Sequence, residues 1–259
     1  MDYGDQFRGK KVVITGAAGI FGRWIAESFA KAGAKLCLSD IREEELKAML
    51  QLPTLQQSEV WYHRTDLTDP RQIQQLAAEV AARWTAPDIL INNAGVYQRQ
   101  QLMDMSLEQW QASIGVNVTA PFLLTQLLAK QMIAEGIRGS IINISSGAAY
   151  TTQIGGGHYS VGKAALAMLT RAYALELAPY RIRVNSVIPG FAPGSEVSAL
   201  SEEYVQNMIA QIPLGRTSGP DDAPQAILYL CSEAASFVTG STLHVDGGKS
   251  AGTYRKPEK

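Results

Sequence analysis

Short apolar, β-branched runs alternate along this chain with stretches whose apolar positions recur every three or four residues, a pattern of strands and amphipathic helices in turn. Strands are predicted at Lys11–Thr15, Ala34–Ser39, Glu59–Arg64, Asp88–Gly95, Gly139–Ser146 and Arg181–Ile188, with a last strand and turn in Gly240–Gly248. Helices are predicted over Arg23–Ala32, from Pro70 to about Trp84, from Ser106 to about Ala134, from around Tyr159 and over Asp221–Ser232. Pro70 suits a first helical turn, and Ser106 with Gln109 three residues on reads as a capping box. The leucines at 123, 124, 127 and 128 form a core or subunit-interface stripe.

The strand ends carry the residues with chemical potential. Lys11–Thr15 runs at once into Gly16-Ala17-Ala18-Gly19-Ile20-Phe21-Gly22 and a helix, a turn whose backbone N–H groups can approach a pyrophosphate. The next strand ends in Asp40, where a dinucleotide fold places its ribose-binding acid; a helix N-cap before Arg42-Glu43-Glu44-Glu45 is a compatible second role. Asp66 sits in a turn. Asn92 and Asn93 can tie neighbouring strand ends together, while Ala94-Gly95 leaves room for a flat cofactor. Asn117 is an amide in the middle of an apolar helix. Tyr159 and Lys163, four apart, share one helical face, close to the strand end that delivers Ser146. An ammonium beside a phenol favours the phenolate, so the tyrosine pKa is expected well below its free value of about 10.

Composition narrows the field. The chain has 259 residues, 46% hydrophobic and 18% charged, which suits one large domain. A net charge of -1 argues against general affinity for nucleic acid or an anionic membrane. Cys37 and Cys231 build neither a disulfide framework nor a multi-cysteine metal site, and the scattered His63, His158 and His244 have no ligand spacing, so no metal is expected. His158, though next to Tyr159, points about 100° away on a helix and is read as packing or surface. The polar start and the lack of a roughly 20-residue apolar run predict a cytoplasmic protein with no membrane span.

The ordered set Thr15-Gly16 with Gly19 and Gly22, Asp40, Asp66, Asn92-Asn93-Ala94-Gly95, Asn117, Ser146, Tyr159-x-x-x-Lys163 and Pro189-Gly190 resembles the short-chain dehydrogenase/reductase family over nearly the whole chain. One departure stands out: Ile20 occupies the place of the middle glycine of compact members, and the resulting Gly-x-x-Gly-x-x-Gly spacing is similar to that of the extended subfamily. This puts Phe21 nearest the cofactor phosphates. The resemblance implies an α/β, doubly wound Rossmann fold over residues 1–259, with a seven-stranded mostly parallel sheet, helices on both faces, and a substrate lid at about 191–211. It implies NAD held by Gly16, Ala18, Gly19, Phe21 and Gly22, by Asp40, Ile41, Asp66 and Leu67, by Asn93, Ala94 and Gly95, and by Tyr159, Lys163, Pro189 and Gly190. Ser195 stands close to where the family carries a carboxamide-binding threonine. Catalysis falls to Asn117, Ser146, Tyr159 and Lys163: Tyr159 takes the hydroxyl proton, Ser146 holds the substrate oxygen, Lys163 tunes the phenol and holds the ribose, and Asn117 anchors a relay water.

The resemblance also places Tyr97–Gln101, Gly147–Gly157 and the lid near the reacting carbon. Gln98, Arg99, Gln100, Gln101, Thr151, Thr152 and Gln153 make that wall polar, so a sugar, polyol or hydroxy acid is expected, with Arg99 facing an anionic group. A solvated rim is the other reading of the same side chains. An NADPH-dependent carbonyl or 3-oxoacyl-carrier-protein reductase remains an alternative, as does an NAD-binding regulatory protein without turnover. A homotetramer is expected.

Overall fold

A computed structural model describes residues 5–194 and 200–254. The seven strands are β1 (Lys11–Thr15), β2 (Lys35–Asp40), β3 (Val60–Arg64), β4 (Ile89–Asn92), β5 (Ser140–Ile144), β6 (Arg183–Pro189) and β7 (Thr242–Val245). They form one sheet in the order β3-β2-β1-β4-β5-β6-β7, and every pairing is parallel. The helices are α1 (Ile20–Lys31), α2 (Glu43–Met49), α3 (Pro70–Trp84), α4 (Leu107–Ile114), α5 (Ala120–Ala134), α6 (Gly157–Leu177), α7 (Glu202–Ala210) and α8 (Asp222–Cys231). The predicted strands and helices are present with ends shifted by a few residues, except that the helix from Ser106 is split into α4 and α5.

Near-continuous apolar runs arise because the inner strands are covered on both faces. Alternate residues divide between two cores: Val12, Ile14, Leu36 and Leu38 pack with Ile25, Phe29 and Leu228 on one side. Val13, Cys37, Leu90, Ile141 and Val184 pack with Leu124, Leu128 and Tyr173 on the other. The leucine stripe of α5 is thus core: Leu124 and Leu128 are buried, and Leu123 and Leu127 pack beside them. Leu107–Ala134, taken as one helical stretch, is long and apolar enough by length and composition to cross a membrane, contrary to the sequence expectation. Half of its most apolar window is buried within the fold, and α5 packs on α3, α6 and β4, which accounts for that apolarity.

Local chemistry sets the helix starts. Asp69 caps α3 by accepting from the Arg71 N–H, with Pro70 in the first turn. Ser106 and Gln109 form the reciprocal capping box of α4. The predicted single helix from Ser106 is interrupted: Gly115–Thr119 forms a π-helical turn between α4 and α5. Asn117 explains the interruption. Its Nδ2 donates to the carbonyls of Val96 and Ser113, each at 3.0 Å, and its Oδ1 accepts from the Val96 N–H at 3.3 Å. The chain beyond β4 therefore finds its backbone partners on a side chain, and the widened turn aims that side chain at it. Buried amides also tie the strand ends, with Asn92 donating to Asn143 Oδ1 at 2.9 Å and Asn143 donating to Thr170 at 2.9 Å.

Candidate active site

The carboxyl ends of β1, β2, β4, β5 and β6 converge along one edge of the sheet, where doubly wound folds bind ligands. At β1, Gly16 has φ +60°, and a side chain there would place its Cβ 2.6 Å from the Ala94 Cα. Only glycine lets the two strand ends come this close. Asn93 stitches the contact, donating to the carbonyls of Thr15 at 3.0 Å and Gly16 at 2.9 Å, while Thr15 Oγ1 accepts from the N–H groups of Asn93 and Ala94. Gly19 is the N-cap of α1, so the first amides of that helix, at Ile20, Phe21 and Gly22, lack acceptors within it. Phe21 itself packs edge-on against Trp24, with ring centroids 5.4 Å apart.

Asp40, 7% exposed, closes β2. Its Oδ2 accepts from the Ala18 N–H at 3.0 Å and its Oδ1 from the Arg42 N–H at 3.1 Å and Nε at 3.3 Å. It braces the glycine turn as well as the start of α2, whose N-cap position is Arg42. Ile41 beside it is exposed. Asp66 accepts from the N–H and hydroxyl of Thr68, as a turn former does, and Leu67 packs against the second core. Pro189 ends β6, and Gly190 approaches the backbone of Val245 and Asp246. A turn that tolerates no side chain, free helix amides and the small Ala94-Gly95 floor fit a nicotinamide dinucleotide.

The reacting groups meet between β5 and α6. Ser146 follows β5 and accepts from the Ala148 N–H at 3.2 Å; beside Tyr159, it favours the ionised phenol. The i, i+4 spacing brings Lys163 Nζ to 5.5 Å from the Tyr159 ring centroid, and Nζ donates to the Ile144 carbonyl at 2.8 Å. Gly95 fills the gap between Lys163 and Asn117: a Cβ there would lie 3.4 Å from Nζ and 3.2 Å from Asn117 Oδ1. All four predicted catalytic residues come together. The predicted acidic tyrosine does not appear. Burial pushes the Tyr159 phenol above its ordinary value; Ser146 opposes this without reversing it, and Tyr97 adds to it. Burial also pulls Lys163, 2% exposed, down to about 8. Each group is thus biased towards its neutral form.

Tyr97 was legible only as part of a polar stretch, yet it stacks edge-on against Tyr159 at 5.0 Å and accepts from Gln153 Nε2 at 2.8 Å. Gln153 and Tyr97 therefore form one wall beside the reacting hydroxyl. Arg99 lies across Gly155, whose added Cβ would be 3.3 Å from its Cγ, and lines a neighbouring cavity with His158. Ser195 lies outside the described residues.

A family model described as enoyl-(acyl carrier protein) reductase matches residues 16–250. The chain belongs to the short-chain dehydrogenase/reductase family. It is 37% identical over 245 residues to a 3-oxoacyl-[acyl-carrier-protein] reductase of Aquifex aeolicus, covering 94% of this chain and 98% of that one. A solved short-chain type dehydrogenase/reductase from Mycobacterium marinum superposes with a TM-score of 0.88 at 33% identity, over 95% of this chain and 98% of that chain. Another from Beutenbergia cavernae, provisionally described as an NAD(P)-dependent gluconate 5-dehydrogenase with bound NADP at low occupancy, gives 0.89 at 32% identity, over 96% and 100%. This chain is thus an oxidoreductase of that family, using a nicotinamide cofactor.

The buried lysine has a consequence for stability. A drop from 10.5 to about 8 corresponds to a cost of about 3 kcal/mol. Because the folded state binds this proton less tightly than the unfolded chain, the cost is full below about pH 8 and is relieved as pH rises towards 10.5. Lys163→Met is expected to abolish turnover while raising the urea midpoint at pH 7, by an amount on the order of 1–3 kcal/mol that shrinks above pH 8. A lowered midpoint at pH 7 would refute the unfavourable burial.

Proposed function

We propose that this protein reduces the ketone of a 3-oxoacyl thioester to a secondary alcohol, the observation that carries this being its 37% identity over 245 residues to a 3-oxoacyl-[acyl-carrier-protein] reductase. A phenol whose pKa burial has raised holds its proton at neutral pH and is set to act as an acid. Ser146 and Tyr159 bind the ketone oxygen; Tyr159 gives it a proton as the carbonyl carbon gains a hydride. When bound, the nicotinamide supplies that hydride. The Lys163 cation faces the phenolate left behind, and its pKa of about 8 lets it carry a proton at pH 7 to restore the phenol. Asn117 holds Val96 and with it the floor at Gly95. The relatives' names support the thioester; of the lid expected at about 191–211, residues 195–199 lie outside the described residues.

The polar wall of Tyr97 and Gln153 favours a second reading, oxidation of a sugar, polyol or hydroxy acid, and the relative described as a gluconate 5-dehydrogenase supports it. Acetoacetyl-CoA reduction and gluconate oxidation, followed at 340 nm with both cofactors, separate the two. The first reading expects kcat/KM for the thioester to exceed that for gluconate by about tenfold or more. The reverse ratio would transfer the assignment to polar alcohols, and nicotinamide binding with no turnover over a broad alcohol and ketone panel would mark a regulatory protein.

For the cofactor we favour NAD(H), because the Asp40 carboxylate, fixed by the Ala18 amide, would repel a phosphate on the adenosine ribose. Arg42 tempers this, and the NADP in the Beutenbergia relative weighs against it. Asp40→Ala should move the NAD/NADP ratio of kcat/KM towards NADP by about tenfold or more; an unchanged ratio removes the role of Asp40. We place the protein in the cytoplasm, where its two unbridged cysteines stay reduced. Exposed apolar residues, Phe122 on α5 and Val161, Met168 and Leu175 on α6, support a homotetramer; a concentration-independent monomer by light scattering would contradict that assembly.

A further inference from the structure

A cavity of about 290 Å³ lies between the segment that follows β4 and helix α4, and Ser146, Tyr159 and Lys163 do not line it. Most of its polar lining is already engaged. Thr68 donates to Asp66 at 2.7 Å, Gln100 Nε2 to the Asp104 carbonyl at 3.2 Å, and Gln109 Oε1 accepts from the Ser106 N–H at 2.9 Å. Two groups are not. His158 is 1% exposed, and its Nδ1 has no hydrogen-bond partner. The Arg99 guanidinium has no carboxylate or carbonyl partner among the described residues.

The Gln98 backbone favours a proton on the His158 ring, which the neutral ring carries on Nε2 when Nδ1 is left bare. Nδ1 of the neutral ring is then a bare acceptor, and a buried acceptor without a donor is costly. A ligand hydroxyl would satisfy it. Arg99 supplies a cation suited to a carboxylate. Val96, Met105, Ala112 and Val116 give the same cavity an apolar wall, and its volume has room for about ten water-sized groups. We propose that this cavity binds a small hydroxylated organic acid, with its hydroxyl donating to His158 Nδ1, its carboxylate on Arg99 and its carbon body against the apolar wall. The site is separate from the reacting hydroxyls, so its failure would leave the oxidoreductase reading untouched.

The test titrates mandelate into full-length protein carrying ¹⁵N-labelled histidine and saturated with NADH, which prevents oxidation of the alcohol. The chain has three histidines, and His158→Asn assigns the relevant ring signal. Mandelate is expected to shift the His158 ring nitrogens saturably. Phenylacetate, which lacks the hydroxyl, and 1-phenylethane-1,2-diol, which lacks the carboxylate, should each bind about tenfold more weakly, as should mandelate to Arg99→Ala. Ser146→Ala should leave mandelate binding unchanged. The proposal is overturned if the His158 signal does not move, since the cavity then holds only water. It is equally overturned if phenylacetate binds as well as mandelate, or if Ser146→Ala abolishes the shift, which would move the ligand to the reacting site.

Discussion

Lys163 is a cation with almost no access to water, and the geometry of the active site follows from how it is held. Its ammonium reaches back from α6 to the Ile144 carbonyl at the end of β5, which fixes the helix against the strand. Gly95 lies beside it, where an added Cβ would stand 3.4 Å from Nζ and crowd Asn117 Oδ1 at 3.2 Å on the other side. Asn117 is there because a π-helical turn aims it at Val96, and Gly162 lets α6 come close: a Cβ on it would lie 3.1 Å from the Asn117 Cβ. Strand end, glycine, amide and helix are thus four answers to one steric and electrostatic problem.

The same burial decides the chemistry of the pair. Taking a phenol and an ammonium out of water opposes the charge on both, and the ammonium spends its hydrogen bond on the Ile144 carbonyl. Burial therefore favours the protonated phenol of Tyr159, with Ser146 beside it opposing the shift. A poised lysine near neutrality and a protonated phenol suit proton delivery to an oxygen better than proton removal from one. The proposed ketone reduction is consistent with that balance, and the polar wall of Tyr97 and Gln153 lines the same side.

Much of this was legible in the chain itself, because it depends on local spacing. The glycine turn after β1, the capping box at Ser106, the Tyr159 and Lys163 spacing and the tie made by Asn93 are all written within a few residues of where they act. What escaped depends on distant segments meeting. The π-helical turn at Asn117 answers to the backbone of Val96, some twenty residues earlier. The Asp40 carboxylate is shared with the Ala18 amide across two strands, so it braces the glycine turn. Tyr97 and Gln153 are joined only in three dimensions, and neither loop has a periodicity that would announce it. The direction of the Tyr159 shift differs from the sequence expectation for a related reason: the Lys163 spacing is visible in the sequence, whereas the burial that raises the phenol is not.

The direct measure of the central constraint is the titration of Lys163 itself. In cofactor-free protein labelled with ¹³C at the lysine ε carbon, and with Lys163→Met used to assign the signal, one resonance should titrate near pH 8, apart from the others. A Lys163 midpoint near 10.5, the ordinary lysine value, would show that the ammonium is solvated and would contradict the account of the site built on its burial.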